Sequence, residues 1–169
     1  MLILETPRLI VRQYTMEDAA DFFALNSNSD VMRYIRPVKT RKECDAFLQD
    51  NIHFYELNPK FGRWATFERE THKFVGSFAI IPIEEESENI QIGYALMPSE
   101  WGKGFATELV RHGKQYFFDM HNSDTLYAIT EQLNVASQKV LLKCGFAQSG
   151  KFVSGMRELV KFSISRKDV

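Results

Sequence analysis

The sequence predicts an α+β domain built around a mixed, mostly antiparallel sheet. Three observations carry this. Short runs rich in branched and aromatic residues recur along the 169-residue chain, separated by segments of helical period. Their order is a strand, two helices, three strands, a helix, a strand, a helix and two strands, with no internal repeat, low-complexity tract or linker. Finally, the apolar run Ile90-Gln91-Ile92-Gly93-Tyr94-Ala95-Leu96-Met97-Pro98 feeds the turn Ser99-Glu100-Trp101-Gly102-Lys103-Gly104, which opens a helix directly. At this length one domain over residues 1–169 is expected, large enough to bury a substantial core.

Taken in order, Leu9 to Tyr14 reads as the first strand. Thr15 followed by Asp18 has the spacing of a capping box, and Phe22, Phe23 and Leu25 support the helix it opens. A second helical piece covers residues 29–34, and Pro37 breaks it. Thr40 is placed to cap a further helix with Cys44, Phe47, Leu48, Ile52 and Tyr55 on its apolar face, which Asn58-Pro59 ends. Trp64–Arg69 and Lys73–Ile81 form a hairpin around Glu70-Thr71-His72. Glu84 to Asn89 reads as an acidic turn before the strand that ends at Met97. The helix after Gly104 should bury Phe105, Leu109, Val110, Gly113, Tyr116 and Phe117. Thr125–Thr130 is a strand; Asn134 suits an N-cap and Gly145 a C′ position of the last helix. Residues 147–153 and 158–165 finish as an antiparallel pair.

Composition excludes several classes. The net charge of −1 offers no basic field for nucleic acid. No apolar run reaches the length of a membrane span. The start Met1-Leu2-Ile3-Leu4-Glu5 is too short and too soon acidic for a signal peptide, so a cytoplasmic protein is expected. Two cysteines, Cys44 and Cys144, define no disulfide framework and sit in helical patterns as small apolar residues. His53, His72, His112 and His121 show no metal-ligand spacing, so no metal is expected; His112 and His121 are expected on the outer side of the helix after the glycine turn.

The glycine turn is the candidate site. The first N–H groups of a helix lack internal partners and carry the positive end of the dipole. Gly102 and Gly104 let a ligand approach the backbone closely, which makes a cradle for phosphate or a turn that binds nothing. The Walker pattern is absent. Further on stands Asn134-Val135-Ala136-Ser137, followed by Lys143-Cys144-Gly145-Phe146. Read with Ile92-Gly93-Tyr94 and Trp101-Gly102-Lys103-Gly104-Phe105-Ala106-Thr107-Glu108, these motifs resemble the GNAT superfamily of acyl-CoA-dependent N-acyltransferases, in particular the branch of ribosomal-protein N-terminal acetyltransferases. The segments Leu4–Arg12 and Asp30–Tyr34 resemble the same branch, so the likeness covers nearly the whole chain.

The resemblance implies a sheet with helices on both faces and a splayed strand pair holding acetyl-CoA. Main-chain groups of Ala95, Leu96 and Met97 would pair with pantetheine. The pyrophosphate would lie on the turn of Trp101, Gly102, Lys103, Gly104, Phe105, Ala106 and Thr107, with the Thr107 hydroxyl as a donor. Lys103 is either a phosphate cation or a solvated lysine, and Trp101 either packs in the core or covers the cofactor. Glu108 is expected to point away from the anion. Asn134 caps its helix and, in the family, contacts the cofactor.

The implied chemistry departs from the family in two places. Gln91 stands where this branch often has a glutamate base, which leaves Glu88 on the acidic turn as the nearest carboxylate, a candidate to act through water. Leu141 occupies the position of the usual thiolate-protonating tyrosine, and Ser137, one turn into the last helix, resembles the branch's replacement. A weak base suits an α-amine: with a pKa of about 8, about a tenth of it is neutral at pH 7, against well under a thousandth of a lysine side chain. Arg33 and Tyr34, with Gln91, are the candidate acceptor contacts, and His53 lies on a helix that lines the acceptor cleft in this family. The expected reaction is direct acetyl transfer to a primary amine, a peptide N-terminus or small-molecule α-amine. Polyamine or drug acetylation, and a non-catalytic acyl-CoA-binding role, are the alternatives, and a homodimer stays open.

Overall fold

The computed structural model describes residues 1–84 and 86–169; Glu85, part of the acidic stretch, lies outside the described residues. Eight strands form one sheet: β1 (Leu2–Glu5), β2 (Leu9–Gln13), β3 (Gly62–Glu68), β4 (Phe74–Ile83), β5 (Glu86–Leu96), β6 (Thr125–Glu131), β7 (Ala147–Ser154) and β8 (Arg157–Ser165). The order is β1-β2-β3-β4-β5-β6-β8-β7. Neighbours are antiparallel except β5 and β6, which run parallel. The helices are α1 (Ala19–Asn26), α2 (Ser29–Met32), α3 (Arg41–Leu57), α4 (Phe105–Met120) and α5 (Val135–Lys143). The predicted α+β class and mixed sheet hold.

Local signals set the helix ends. The Thr15/Asp18 and Thr40/Glu43 capping boxes both form, and Asn134 accepts from Ser137 N–H to start α5. At the other end of α5, Phe146 N–H donates to Leu141 O and Gly145 N–H to Leu142 O, the bond pair of a Schellman ending.

The sheet is covered on both faces. On one side α4 and α5 bury Leu109, Val110, Phe117 and Leu141 against Trp64, Phe78, Ile92, Leu126 and Phe162. On the other, α1–α3 bury Phe22, Leu25, Met32 and Leu48 against Ala65 and Phe74. Each such side chain contributes roughly 1.5–3 kcal/mol through burial. Tyr116 is only partly buried, and Phe118 takes the core position beside Phe117.

Strand β1 is an addition to the expected elements: Leu2 is exposed and the strand is four residues long, too short for an alternation to register. The acidic turn is shorter than expected, because β4 continues to Ile83 and β5 begins at Glu86, where a register shift accommodates the extra residues. Glu88 therefore sits in a strand rather than on a turn. His121 is likewise not on the outer side of α4: it is half-buried, stacked between Phe61 at 4.5 Å and Phe117 at 4.9 Å.

The contact of α4 with β4 and β5 is close enough to test. A Cβ at Gly113 would stand 2.3 Å from the Phe78 ring, which is fully buried, and 3.1 Å from Ile92 Cδ1. Gly113→Ala is therefore expected to cost about 1–3 kcal/mol of overpacking, more than the helix-propensity gain of at most about 1 kcal/mol. Thermal unfolding should show a melting temperature lowered by several degrees; an unchanged or raised value would contradict the packing described.

Candidate active site

The glycine turn is held from both sides. A 3₁₀ turn over Pro98–Glu100 delivers the chain to Trp101. Gly102 (φ 77°) and Gly104 (φ 84°) then take left-handed backbone, which only glycine adopts cheaply. No side chain caps the start of α4, and the space where a Gly102 Cβ would stand is open. Exposed N–H groups, the positive end of a 16-residue helix and an unobstructed approach fit a diphosphate.

One side of this turn is clasped by Glu108. Its carboxylate accepts from Thr6 Oγ1 (2.5 Å), Arg8 N–H (2.9 Å) and Arg8 Nε (2.7 Å). Arg8 Nη1 in turn donates to Lys103 O at 2.9 Å. Burial would raise the Glu108 carboxyl, but the Thr6 and Arg8 contacts prevail and hold it below its ordinary value. The acid thus points away from the ligand face, toward the β1–β2 turn.

The other side is anchored by Glu100, which sequence reasoning passed over as a turn residue. Its side chain is 1% exposed and accepts from Lys73 (2.5 Å), Lys103 (2.7 Å) and Ser99 (2.8 Å). Burial opposes its charge, yet these donors bring the carboxyl down to about 2. Lys103 is exposed and its ammonium is paired with Glu100. Trp101 is half-exposed, and its indole N–H donates to Leu96 O at 2.8 Å. Phe105 is buried, while Ala106 and Thr107 are half-buried beside it. Cys144, itself buried, meets Thr107 O at 3.6 Å.

Beyond the turn, β5 and β6 pair at a single register position, Gln91 with Tyr127, and then separate. Met97 N–H donates to Val75 O, so the alternation of an antiparallel ladder turns the polar groups of Met97 and Ala95 toward β4. Tyr94 and Leu96 face the gap, with Leu96 O taken by Trp101. Of the three main-chain positions expected there, Leu96 alone opens to the gap, and Tyr94 joins it. Strand parity, read correctly, would have made this distinction.

A cavity of about 660 Å³ runs through this gap and onto the α1–α3 face, within the range that holds a cofactor-sized ligand. Ser137 and Tyr94 line its middle, with the Tyr94 hydroxyl donating to Ser137 Oγ at 3.4 Å. Burial pushes the Tyr94 phenol up, so it stays protonated. Leu141 is a buried lining residue beside them, so the hydroxyls at this point come from Ser137 and from the strand, not from α5 position 141. Asn134 spends its side-chain oxygen on Ser137 N–H (3.1 Å), which fixes the first turn that carries the serine.

Gln91 and Tyr34, the expected acceptor contacts, both line this cavity. Arg33 does not: it is exposed and lies over the Tyr34 ring at 5.9 Å on the outer surface. Glu88 is exposed and outside the lining, which instead includes Glu84, Glu86 and Glu131. Glu86 is bonded to Lys161 and Asn89 at 2.6 Å each, and these bonds lower its carboxyl; Glu131 is paired with Arg157. His53 is exposed and paired with Glu56. Two arginines that sequence reasoning missed, Arg36 and Arg63, also line the cavity. Arg36 neighbours the Arg33-Tyr34 pair in sequence, and Arg63 shares strand parity with Ala65, the cue that puts it on the α1–α3 face.

Among the described residues, no group of three or more His, Cys, Asp or Glu side chains is placed to hold a metal, and no helix is long and apolar enough to cross a membrane. The splayed parallel strand pair, the uncapped helix start behind two left-handed glycines and the cavity lined by Tyr94 and Ser137 are the features that the resemblance to acyl-CoA N-acyltransferases implies. Residues 8–147 match the family model of the acetyltransferase (GNAT) domain, and the chain belongs to that family. It is 32% identical over 150 residues to the uncharacterized N-acetyltransferase YoaA of Bacillus subtilis, covering 88% of this chain and 84% of that protein. Its fold also matches a spermidine N-acetyltransferase from Vibrio cholerae solved with CoA and spermine (TM-score 0.78, 21% identity, 95% and 96% of the two chains). A further match is the Salmonella typhimurium acetyl transferase that modifies the N-terminal serine of ribosomal protein L7/L12 (TM-score 0.81, 15% identity, 98% and 99%). At those identities the last two share the fold alone. The chain is an acetyl-CoA-dependent N-acetyltransferase.

Proposed function

We propose that this acetyltransferase acts on an α-amine, with Ser137 as the proton donor to the departing thiolate. The observation that carries the reading is the Tyr94–Ser137 hydroxyl pair lining the cavity where β5 and β6 part. Bound acetyl-CoA supplies the activated acyl carbonyl and the thiolate leaving group.

The turn at 101–107 and the gap-facing groups of Tyr94 and Leu96 would hold the cofactor, phosphates at the first and pantetheine at the second. Ser137 Oγ hands its proton to the sulfur as the C–S bond breaks, the Tyr94 hydroxyl donates in turn to Ser137, and the proton that the amine loses on forming the amide replaces the one given up along this pair. Among the described residues, no buried carboxylate is free to take the amine's proton, and Glu84, which lines the cavity without an ion pair, is exposed to water. Gln91 cannot take a proton, Glu86 is held below its ordinary value by Lys161 and Asn89, and Glu131 is engaged by Arg157. Glu88 remains a candidate only through solvent, being exposed. That arrangement favours an acceptor already partly neutral at pH 7, which an α-amine with a pKa of about 8 is.

Product mass spectrometry over peptides, free amino acids, polyamines and aminoglycosides tests the acceptor; preferred acetylation of lysine ε-amines would refute it. Ser137→Ala should lower kcat by about 10- to 100-fold while coenzyme A affinity changes by less than threefold, as expected for a group acting in the transition state. An unchanged kcat would remove Ser137 from the chemistry.

A further inference from the structure

Arg36 and Arg63 are two cavity-lining guanidiniums without a counter-ion among the described residues. Among the described residues neither has a carboxylate within 4.0 Å, and the cavity acids Glu86 and Glu131 are paired with Lys161 and Arg157 instead. Glu84, whose charge reaches Arg63, is not within ion-pair distance. Both guanidiniums lie against the Phe47 ring, 4.9 and 5.5 Å from its centroid, and the Lys39 ammonium lies 5.3 Å from the same point. Three cations therefore gather at one aromatic ring. Arg36 donates from Nη2 to Asn26 Oδ1 at 3.0 Å, but its buried Nε has no partner. A buried donor on a charged group is costly when unmet, and native sites that keep one commonly meet it with a ligand. Burial and, for Arg36, the nearby Arg63 lower both guanidiniums, Arg36 to about 10, which still leaves them charged near neutral pH.

The sheet register connects these cations to the reaction point. Arg63 lies opposite Ala79 on β4, and Ala79 lies opposite Gly93 on β5, next to Tyr94. The row of small residues leaves a clear floor about two strand spacings, roughly 10 Å, across. An arginine side chain spans part of that distance, so a group of a few bonds' length reaches from the gap to the guanidinium.

We propose that Arg36 and Arg63 form an oxyanion subsite for the acceptor, so that the acceptor class is an amine carrying a carboxylate a few bonds from its nitrogen. This rests on the acetyl-transfer reading above and narrows it. Guanidinium forks meet carboxylates through paired N–H donors, which an amide or a second ammonium cannot satisfy. The same charges repel polyamines.

The test is a matched series on the whole protein. Free amino acids are compared with their amides and decarboxylated amines, and short amidated peptides with Asp or Glu at the second residue with their Asn or Gln counterparts. The two arms separate a main-chain from a side-chain carboxylate. In at least one arm the acid should exceed its neutral partner at least tenfold in kcat/KM, mostly through KM, and Arg63→Gln should bring that ratio near one. Arg63→Lys, which keeps the charge without the fork, should fall between. A second readout needs no turnover: with coenzyme A present, the N-acetylated acid should raise the melting temperature, and its amide should not, in wild type but not in Arg63→Gln. Acid-selective, Arg63-dependent binding without acetylation would sustain the subsite and sink the α-amine reading. Efficient acetylation of amides or polyamines with no preference for acids in either arm would overturn the subsite and leave the acetyltransferase standing.

Discussion

Glu108→Ala should weaken coenzyme A binding by one to two orders of magnitude and cost about 2–3 kcal/mol of stability. The reason is that one carboxylate ties the β1–β2 turn to the start of α4 and, through Arg8, to the glycine turn. It accepts from Thr6 Oγ1 and from both the backbone and side chain of Arg8, and Arg8 carries the clasp to Lys103 O. The Arg8 guanidinium also covers the Phe105 ring at 4.7 Å. Removing the carboxylate leaves Thr6, which is buried, without its short acceptor and frees Arg8 from the turn. Two left-handed glycines then lose the contact that holds their conformation, and a turn that must be ordered on binding costs affinity. The pair itself, with Arg8 about half exposed, contributes little as a bare ion pair. Hence Glu108→Gln, which keeps one acceptor oxygen and loses the charge, should lose less than Glu108→Ala. Calorimetric titration with coenzyme A and urea unfolding decide it. Wild-type affinity and midpoint in the alanine variant would show that the clasp does not position the turn.

What the sequence made legible follows from how local each determinant is. Strands with alternating residues, capping boxes at Thr15 and Thr40, and the strand–turn–helix at Gly102 and Gly104 are set by neighbours a few residues apart, and they stood in the chain where expected. The Arg8–Glu108 clasp joins residues a hundred positions apart, and no spacing marks it. Glu100 shows the same limit in charge form: an acid in a polar turn gives no sign that it will be buried between Lys73 and Lys103. Arg33 and Arg36 are one helical turn apart in a short irregular segment, and only the packing of α1 and α3 against the sheet decides that Arg36 faces the cavity while Arg33 faces out. The missing glutamate at Gln91 was visible from the outset, but the carboxylates that line the cavity in its place were not. The placement of Glu84 and Glu86 depends on where the β4–β5 register shifts.

Glu100→Gln should produce the second large effect, one that depends on pH with a definite sign. The folded carboxyl titrates at about 2, against 4.5 for an ordinary glutamate. A depressed folded value means that charge stabilises the fold above the unfolded pKa, and that this stabilisation drains away as pH falls from about 4.5 toward 2. For a side chain 1% exposed the contribution at neutral pH is of order 1–3 kcal/mol. The glutamine variant lacks that titration, so its deficit against wild type should be largest at pH 6–7 and should shrink by roughly 1 kcal/mol on reaching pH 4. Other carboxylates, Glu108 and Asp18 among them, also titrate below their ordinary values, so both proteins weaken in acid and only the difference between them isolates Glu100. Urea unfolding of the pair at several pH values between 4 and 7 measures that difference. A gap that stays constant across the range would mean that Glu100 titrates normally and that its two lysines do not hold the turn through charge. Because Lys103 lies between the two glycines, loss of the anchor should also weaken coenzyme A binding, though less than loss of Glu108, whose partner Arg8 bonds the turn's own backbone.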